Sequence, residues 1–250
     1  MARFLKHIGC SRCGSSDANA VYEDGSQFCF SCRKPTGSKV SPYVASSLRP
    51  DAEEETKVVL PSDVTQNYPE HAVAWCNKYD ITVQQMLQNN MVYSKWKDQL
   101  IFTFYGNTGD LLAYQARNLN PVSKAKRYYT CGDVNSLLPI YHCRHPLPDG
   151  VNSRRLVLVE DCLSAIKVSY VEGLGADSMP LLGSGISRTK LSRLRPFYDL
   201  LNVFLDPDMW HKSLSIVKQA QLLGFRARPI QSDRDPKEHA YKELDSLLRM

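Results

Sequence analysis

No stretch of this 250-residue chain approaches the roughly 18 consecutive apolar side chains of a membrane-spanning helix, so no span is expected. The opening Met-Ala-Arg-Phe-Leu-Lys-His-Ile-Gly-Cys lacks the apolar core of a signal peptide, which points to the cytoplasm. In that compartment cysteines are expected reduced or metal-bound, not paired. Gly183-Ser184-Gly185-Ile186-Ser187-Arg188-Thr189-Lys190 has no second glycine directly before a Lys-Ser/Thr pair, which excludes a P-loop. Strong charge of one sign is missing too: the net charge of +5 permits a nucleic-acid partner without demanding one. Its placement says more, because residues 106–155 carry seven Lys/Arg against three Asp/Glu, whereas residues 51–55 carry four acids and no base.

What the chain does have is short apolar runs that end on acids. Arg155-Leu-Val-Leu-Val159 leads into Glu160, and Asn202-Val-Phe-Leu205 into Asp206-Pro207-Asp208. Such runs read as strands buried on both faces of a parallel sheet, whose ligands sit beyond the carboxyl ends of the strands. Glu160, Asp206 and Asp208 would then share one crevice, which calls for a hard divalent cation such as magnesium. Around these runs the chain alternates: a helix from Cys162 to about Tyr170, a strand at Pro180-Leu181-Leu182, a helix through Lys190, Leu191, Leu194 and Phe197, a helix from His211 to Leu223 with Leu214, Val217 and Leu222 inward, and a strand from Phe225 to Ile230. This order predicts an α/β fold with a mainly parallel sheet flanked by helices.

At the other end, Cys10-x-x-Cys13 and Cys29-x-x-Cys32 stand 15 residues apart, the spacing of a zinc ribbon. Four thiolates close a tetrahedral shell, so one structural zinc is expected, with His7 a bystander. Val21 to Phe30 reads as two strands around an Asp24-Gly25 turn, too small to fold without the metal. Residues 1–36 form this ribbon, and residues 37–57, rich in Pro, Ser, Gly and Glu, read as a linker.

Residues 58–150 read as an α+β basic subdomain and 151–250 as the metal-binding one. Pro69 opens a helix with Ala72, Val73, Cys76 and Tyr79 on its apolar positions, and Thr82-Val83-Gln84-Gln85 is a capping box for a helix burying Val83, Met86 and Leu87. Trp75, Tyr79 and Met86 are expected to pack in the core, and Cys76, Cys131, Cys143 and Cys162 to be plain interior thiols. Residues 99–105 and 111–117 form a hairpin. Behind it Arg117, Lys124, Lys126 and Arg127 stand beside Tyr128 and Tyr129, a mixture suited to phosphate and base contact.

These motifs together resemble the phage-type DNA primases. Cys-Ser-Arg-Cys-Gly-Ser-Ser-Asp at 10–17 and Asp-Gly-Ser-Gln-Phe-Cys-Phe-Ser-Cys at 24–32 are similar to that family's zinc ribbon; the strand-end Glu160 with Asp206-x-Asp208 resembles its Toprim domain. The order Ile-Phe…Gly-x-Leu…Tyr-Gln-Ala-Arg-Asn-Leu…Lys-x-Lys-x-Tyr is similar to the basic subdomain before Toprim, and Asp235-Pro236-Lys237-Glu238 resembles its closing motif. The sequence departs at Asp161, where glycine is usual, at His211 and its neighbours, and at Lys237, where asparagine is usual.

The resemblance implies synthesis of short RNA primers from ribonucleoside triphosphates on single-stranded DNA. One or two magnesium ions would be held by Glu160, Asp206 and Asp208, with Asp235 nearby. Arg117, Lys124, Lys126 and Arg127 would grip triphosphate or template. Asp24, Ser26, Gln27 and Phe30 of the ribbon are the candidates for base contact. A separate replicative helicase or polymerase is the implied partner, since no helicase motor is fused here, and the compartment would be the host cytoplasm if the protein is viral. Two alternatives stay open: a Toprim nuclease, or a non-catalytic zinc protein binding single-stranded DNA.

Overall fold

In the computed structural model, which describes residues 3–36, 57–120, 126–134, 137–146, 155–183 and 185–249, the chain forms two compact units, Met1–Lys57 and Val58–Met250. In the first, β1 (Phe4–Ile8), β2 (Asn19–Tyr22), β3 (Gln27–Cys29) and β4 (Lys34–Pro35) make an antiparallel sheet in that order. The β2–β3 turn forms because Asp24 Oδ1 accepts from the Ser26 backbone N–H at 3.0 Å and from the Ser26 hydroxyl at 2.6 Å. That pairing buries Ser26, which therefore cannot be the exposed base contact expected of it, and Gln27 is occupied by Asn19 at 3.1 Å. Phe30 stays exposed. The linker expectation for residues 37–57 lies, apart from Lys57, outside the described residues.

The second unit opens with β5 (Val64–Thr65), α1 (Glu70–Asn77), α2 (Val83–Gln88), β6 (Val92–Ser94), β7 (Gln99–Tyr105), β8 (Leu111–Asn118) and β9 (Tyr128–Gly132). The strands form one antiparallel sheet in sequence order, and the Thr82–Gln85 capping box is formed. Of the residues expected inside α2, Met86 is fully buried, but Val83 and Leu87 are 38% and 41% exposed. They lie four apart on one ridge of a helix so short that only its opposite side meets the core. Gly132 sits at φ +90°, where a Cβ would come within 2.4 Å of the Leu112 carbonyl oxygen; a glycine there lets β9 lie close on β8.

The chain then runs through β10 (Arg155–Val159), α3 (Cys162–Ser169), β11 (Ala176–Pro180), α4 (Arg188–Leu194), β12 (Leu200–Val203), α5 (Trp210–Leu222), β13 (Arg226–Pro229) and α6 (Tyr241–Arg249). The four strands are all parallel, in the order β11-β10-β12-β13. Because side chains alternate along a strand, β10 divides its apolar run between two cores. Val157 and Val159 pack with α3 and the antiparallel sheet, in a cluster holding Phe102, Met86, Ile166 and Leu244. Leu156 and Leu158 pack on the other face with Leu191, Leu201, Val203 and Ile216. Fully burying one such side chain is worth about 1.5–3 kcal/mol, so this strand holds the residues at its carboxyl end firmly in place.

Three elements differ from expectation. β11 is Ala176–Pro180, and Leu181-Leu182 come after it instead of forming it. In α5 the inward residues are Ser213, Ile216, Val217 and Ala220, while Leu214 and Leu222 are 41% and 75% exposed; small residues on the inner face let the helix approach the sheet closely. The fourth helix ends at Leu194, before Pro196, leaving Phe197 71% exposed. Cys76 and Cys162 are buried, as expected, but Cys131 and Cys143 are only half-buried. Arg155, at the amino end of β10, and Arg228, within β13, donate to the Leu248 carbonyl, Arg228 also to that of Leu247, capping the carboxyl end of α6. Among the described residues no helix is long and apolar enough to cross a membrane.

Candidate active site

The ribbon brings the Cys10, Cys13, Cys29 and Cys32 sulfurs within 4.8 Å of one another, with 3.7 Å between Cys13 and Cys29. The Cys13 backbone N–H aimed at Cys10 holds that thiol down to about 7, favouring the thiolate a metal needs. Four thiols in a closed set fit a tetrahedral structural zinc. His7 stays outside the set, its Nδ1 2.8 Å from the Asp17 carbonyl oxygen.

In the second unit the carboxyl ends of β10 and β12 lie side by side, Leu158 registering with Val203. Glu160 and Asp206 therefore emerge as neighbours into a cleft of about 470 Å³. Each carries a buried carboxylate oxygen without a hydrogen-bond partner, Glu160 Oε2 and Asp206 Oδ1. Burial pushes the Asp206 carboxyl up to about 7; Lys237 opposes the shift, and Asp235, Glu160 and Asp161 add to it. Glu160 is raised as well, by burial first, with Lys212 opposing and Asp208, Asp161 and Asp235 adding to it. Two hard, uncompensated oxygen donors in a polar cleft fit a divalent cation. Among the described residues, only the cysteine set brings three or more ligand atoms within 4.8 Å, so the acids converge on the cleft without closing on one point. Asp208, in the 3-10 turn Pro207–Met209, is exposed and is not among the residues that line the cleft.

Asp161 caps α3, its Oδ1 accepting from Ser164 N–H at 2.8 Å, while its Oδ2 meets Lys237 Nζ at 2.8 Å. Lys237 also reaches Asp235 Oδ2 at 2.6 Å, and only 10% of its side chain is exposed. Burial works against that charge, but Asp161 and Asp235 outweigh it and hold the Lys237 pKa above the usual lysine range.

The opposite wall comes from α1, β8 and β9. The Arg117 guanidinium lies 5.2 Å from the Trp75 ring centroid and 4.8 Å from that of Tyr128, with its Nε buried and unpartnered. Stacked this way, its plane is fixed while its remaining N–H groups face the cleft. Arg127 joins this wall. Gly183, at φ +152° with nothing within 4 Å of where a Cβ would stand, leaves the rim beside β11 open.

No protein-family model matches the sequence. Over a short stretch of 29 residues the chain is 59% identical to the DNA helicase/primase of Enterobacteria phage T3, a match covering 12% of this chain and 5% of that protein. The structure aligns over 99% of its length with the primase fragment of the bacteriophage T7 primase-helicase protein, at TM-score 0.53 and 17% identity, covering 98% of that chain. The zinc-binding and RNA polymerase domains of the Aquifex aeolicus primase align over 99% of this chain and 80% of theirs, at TM-score 0.57 and 12% identity. The fold is that of the primases. A DnaG primase catalytic domain bound to single-stranded DNA aligns with 73% of each chain at TM-score 0.55 and 11% identity.

Within this primase fold, Glu160, Asp206, Asp235, Arg117 and Arg127 line a single cleft. Lys126 is exposed and outside that lining, and Lys124 lies outside the described residues. Sequence reasoning missed Trp75, assigned to the core because its helical spacing is apolar; it packs there with one part and lines the cleft with another. It also missed that Asp161 and Lys237, noted as two separate departures from the primase pattern, are one ion pair. The signal was present: one position gains a negative charge and the other a positive one.

Proposed function

We propose that this protein is a DNA-directed RNA primase, joining ribonucleotides on a single-stranded DNA template. The observation that carries this is the pair of buried, unpartnered carboxylate oxygens of Glu160 and Asp206 at adjacent strand ends, facing a stacked arginine across one cleft. In the reaction a 3′-hydroxyl attacks the α-phosphorus of the incoming triphosphate, and pyrophosphate leaves. Glu160, Asp206 and Asp208 would hold magnesium, which when bound makes the hydroxyl a better nucleophile and offsets charge on the phosphates. Arg117, locked between Trp75 and Tyr128, orients the triphosphate by presenting a fixed plane of donors. Arg127, with Lys124 and Lys126, adds charge along the path of the chain of phosphates. Glu160, whose carboxyl burial raises above the usual carboxylate range, would also handle the hydroxyl proton.

The ribbon would hold one zinc through its four cysteines and present the exposed Phe30 to template bases. Asp235 contributes through Lys237, not as a free acid. A separate helicase or polymerase would be the partner. The reading is tested by incubating the full chain with magnesium, four ribonucleotides and mixed-sequence single-stranded DNA: short RNA products are expected. DNA cleavage would instead make it a Toprim nuclease, and retention of DNA without either product a binding protein.

A further inference from the structure

Five carboxylates line the cleft: Glu238 accepts from the Asp235 backbone N–H, and the other four fall into two classes. Asp161 and Asp235 are committed: both hold Lys237 Nζ, at 2.8 and 2.6 Å. Glu160 and Asp206 are not, each keeping a buried oxygen without a partner. Asp208 is exposed and outside that lining.

The ammonium is built in, not draped over the site. Lys237 is buried, and its carbonyl oxygen accepts at 3.0 Å from Lys167 Nζ, which is itself 1% exposed and held by Asp80 at 2.9 Å. Pro236, directly before it, restricts the turn further. The backbone that carries the ammonium is thereby tied to α3.

We propose that Lys237 is a resident counter-cation that takes the place of a second divalent ion, so that the cleft binds one such ion, at Glu160 and Asp206. This rests on reading the cleft as a divalent-cation site. An ion lodged between Asp161 and Asp235 would have to displace a fixed positive charge bonded to both, whereas the uncompensated oxygens attract one without opposition. Asp161 and Lys237 form a matched set: the extra acid beside Glu160 balances the ammonium without removing a donor from the ion.

The test is titration of the zinc-loaded full chain with Mn2+, monitored by the loss of the free-ion electron paramagnetic resonance signal. One tight Mn2+ per chain is expected for the unaltered protein and for Lys237→Arg, which keeps the charge. Two are expected for Lys237→Gln and Lys237→Met, which free both acids. Glutamine keeps a donor for Asp161, so that variant guards against misfolding, and circular dichroism checks each variant. Two tight ions in the unaltered protein, or one in both uncharged variants, would overturn the proposal while leaving the cleft reading intact. Glu160→Gln is the separate control: undiminished Mn2+ binding there would remove the cleft reading itself, and the proposal with it.

Discussion

Asp206 is the side chain whose chemistry changes most with conditions. Its carboxyl moves from 3.8 to about 7 because the fold buries it among other acids. The folded chain then holds a proton that the unfolded chain has lost, so this group's contribution to stability is present below about pH 4 and disappears as pH rises through about 7. Asp206→Asn removes that dependence. In chelator, its Tm should exceed that of the unaltered chain by on the order of a few degrees at about pH 8, with the gap closing toward about pH 4. A melt series at several pH values checks this. The same variant, and Glu160→Gln, should lower primer synthesis by about a hundredfold or more, since each loses an anionic donor to a hard cation. Arg117 makes a different demand. Lysine keeps the charge but not the plane held by Trp75 and Tyr128, so Arg117→Lys should raise the KM for ribonucleotide on the order of tenfold with a smaller effect on kcat. Equal steady-state parameters would assign the arginine to packing alone.

Among the elements, β9 depends on Gly132. A methyl there would overlap the Leu112 carbonyl and force a positive φ on a residue that resists it, so Gly132→Ala should cost roughly 1–3 kcal/mol. Denaturant unfolding measures the loss, and since β9 carries Tyr128, nucleotide affinity should fall with it. The ribbon depends on its metal: Cys13→Ser should lose zinc by elemental analysis and unfold β1–β4 while the second unit melts unchanged. Legibility from sequence depends on which of these constraints are local. Cys-x-x-Cys spacing, the Thr82–Gln85 box and an apolar run ending on Glu160 depend on near neighbours, and all three form. Which face of α5 turns inward does not: Leu214 is more apolar than Ser213, yet Ser213 packs on the sheet because its size permits contact. Alternation of strands and helices predicts the parallel sheet but not the strand order that sets β10 beside β12, and hence Glu160 beside Asp206. The Asp161–Lys237 pair lies 76 residues apart, and no local periodicity announces it.

At the scale of the whole molecule, Met1–Lys57 and Val58–Met250 are separate compact units. If the ribbon reads template and the second unit does the chemistry, the intervening residues set how often they meet. A random coil of the length of residues 37–57 would span on the order of 25 Å and hold the ribbon at about millimolar effective concentration. Residues 58–250 alone should bind Mn2+ and extend a supplied RNA primer, but fail to start primers at preferred template sites. Free ribbon at micromolar levels should barely restore starting. Start-site mapping compares the three; identical maps for the whole chain and residues 58–250 would move template reading out of the ribbon. Arg155 fastens the end of α6 to the amino end of β10, and that strand separates Arg155 from Glu160 by about 16 Å. A reporter dye or surface tether attached through a cysteine placed at Arg249 would stand at the end of β10 opposite Glu160, so the protein could be immobilised for single-molecule observation with its working face toward solution.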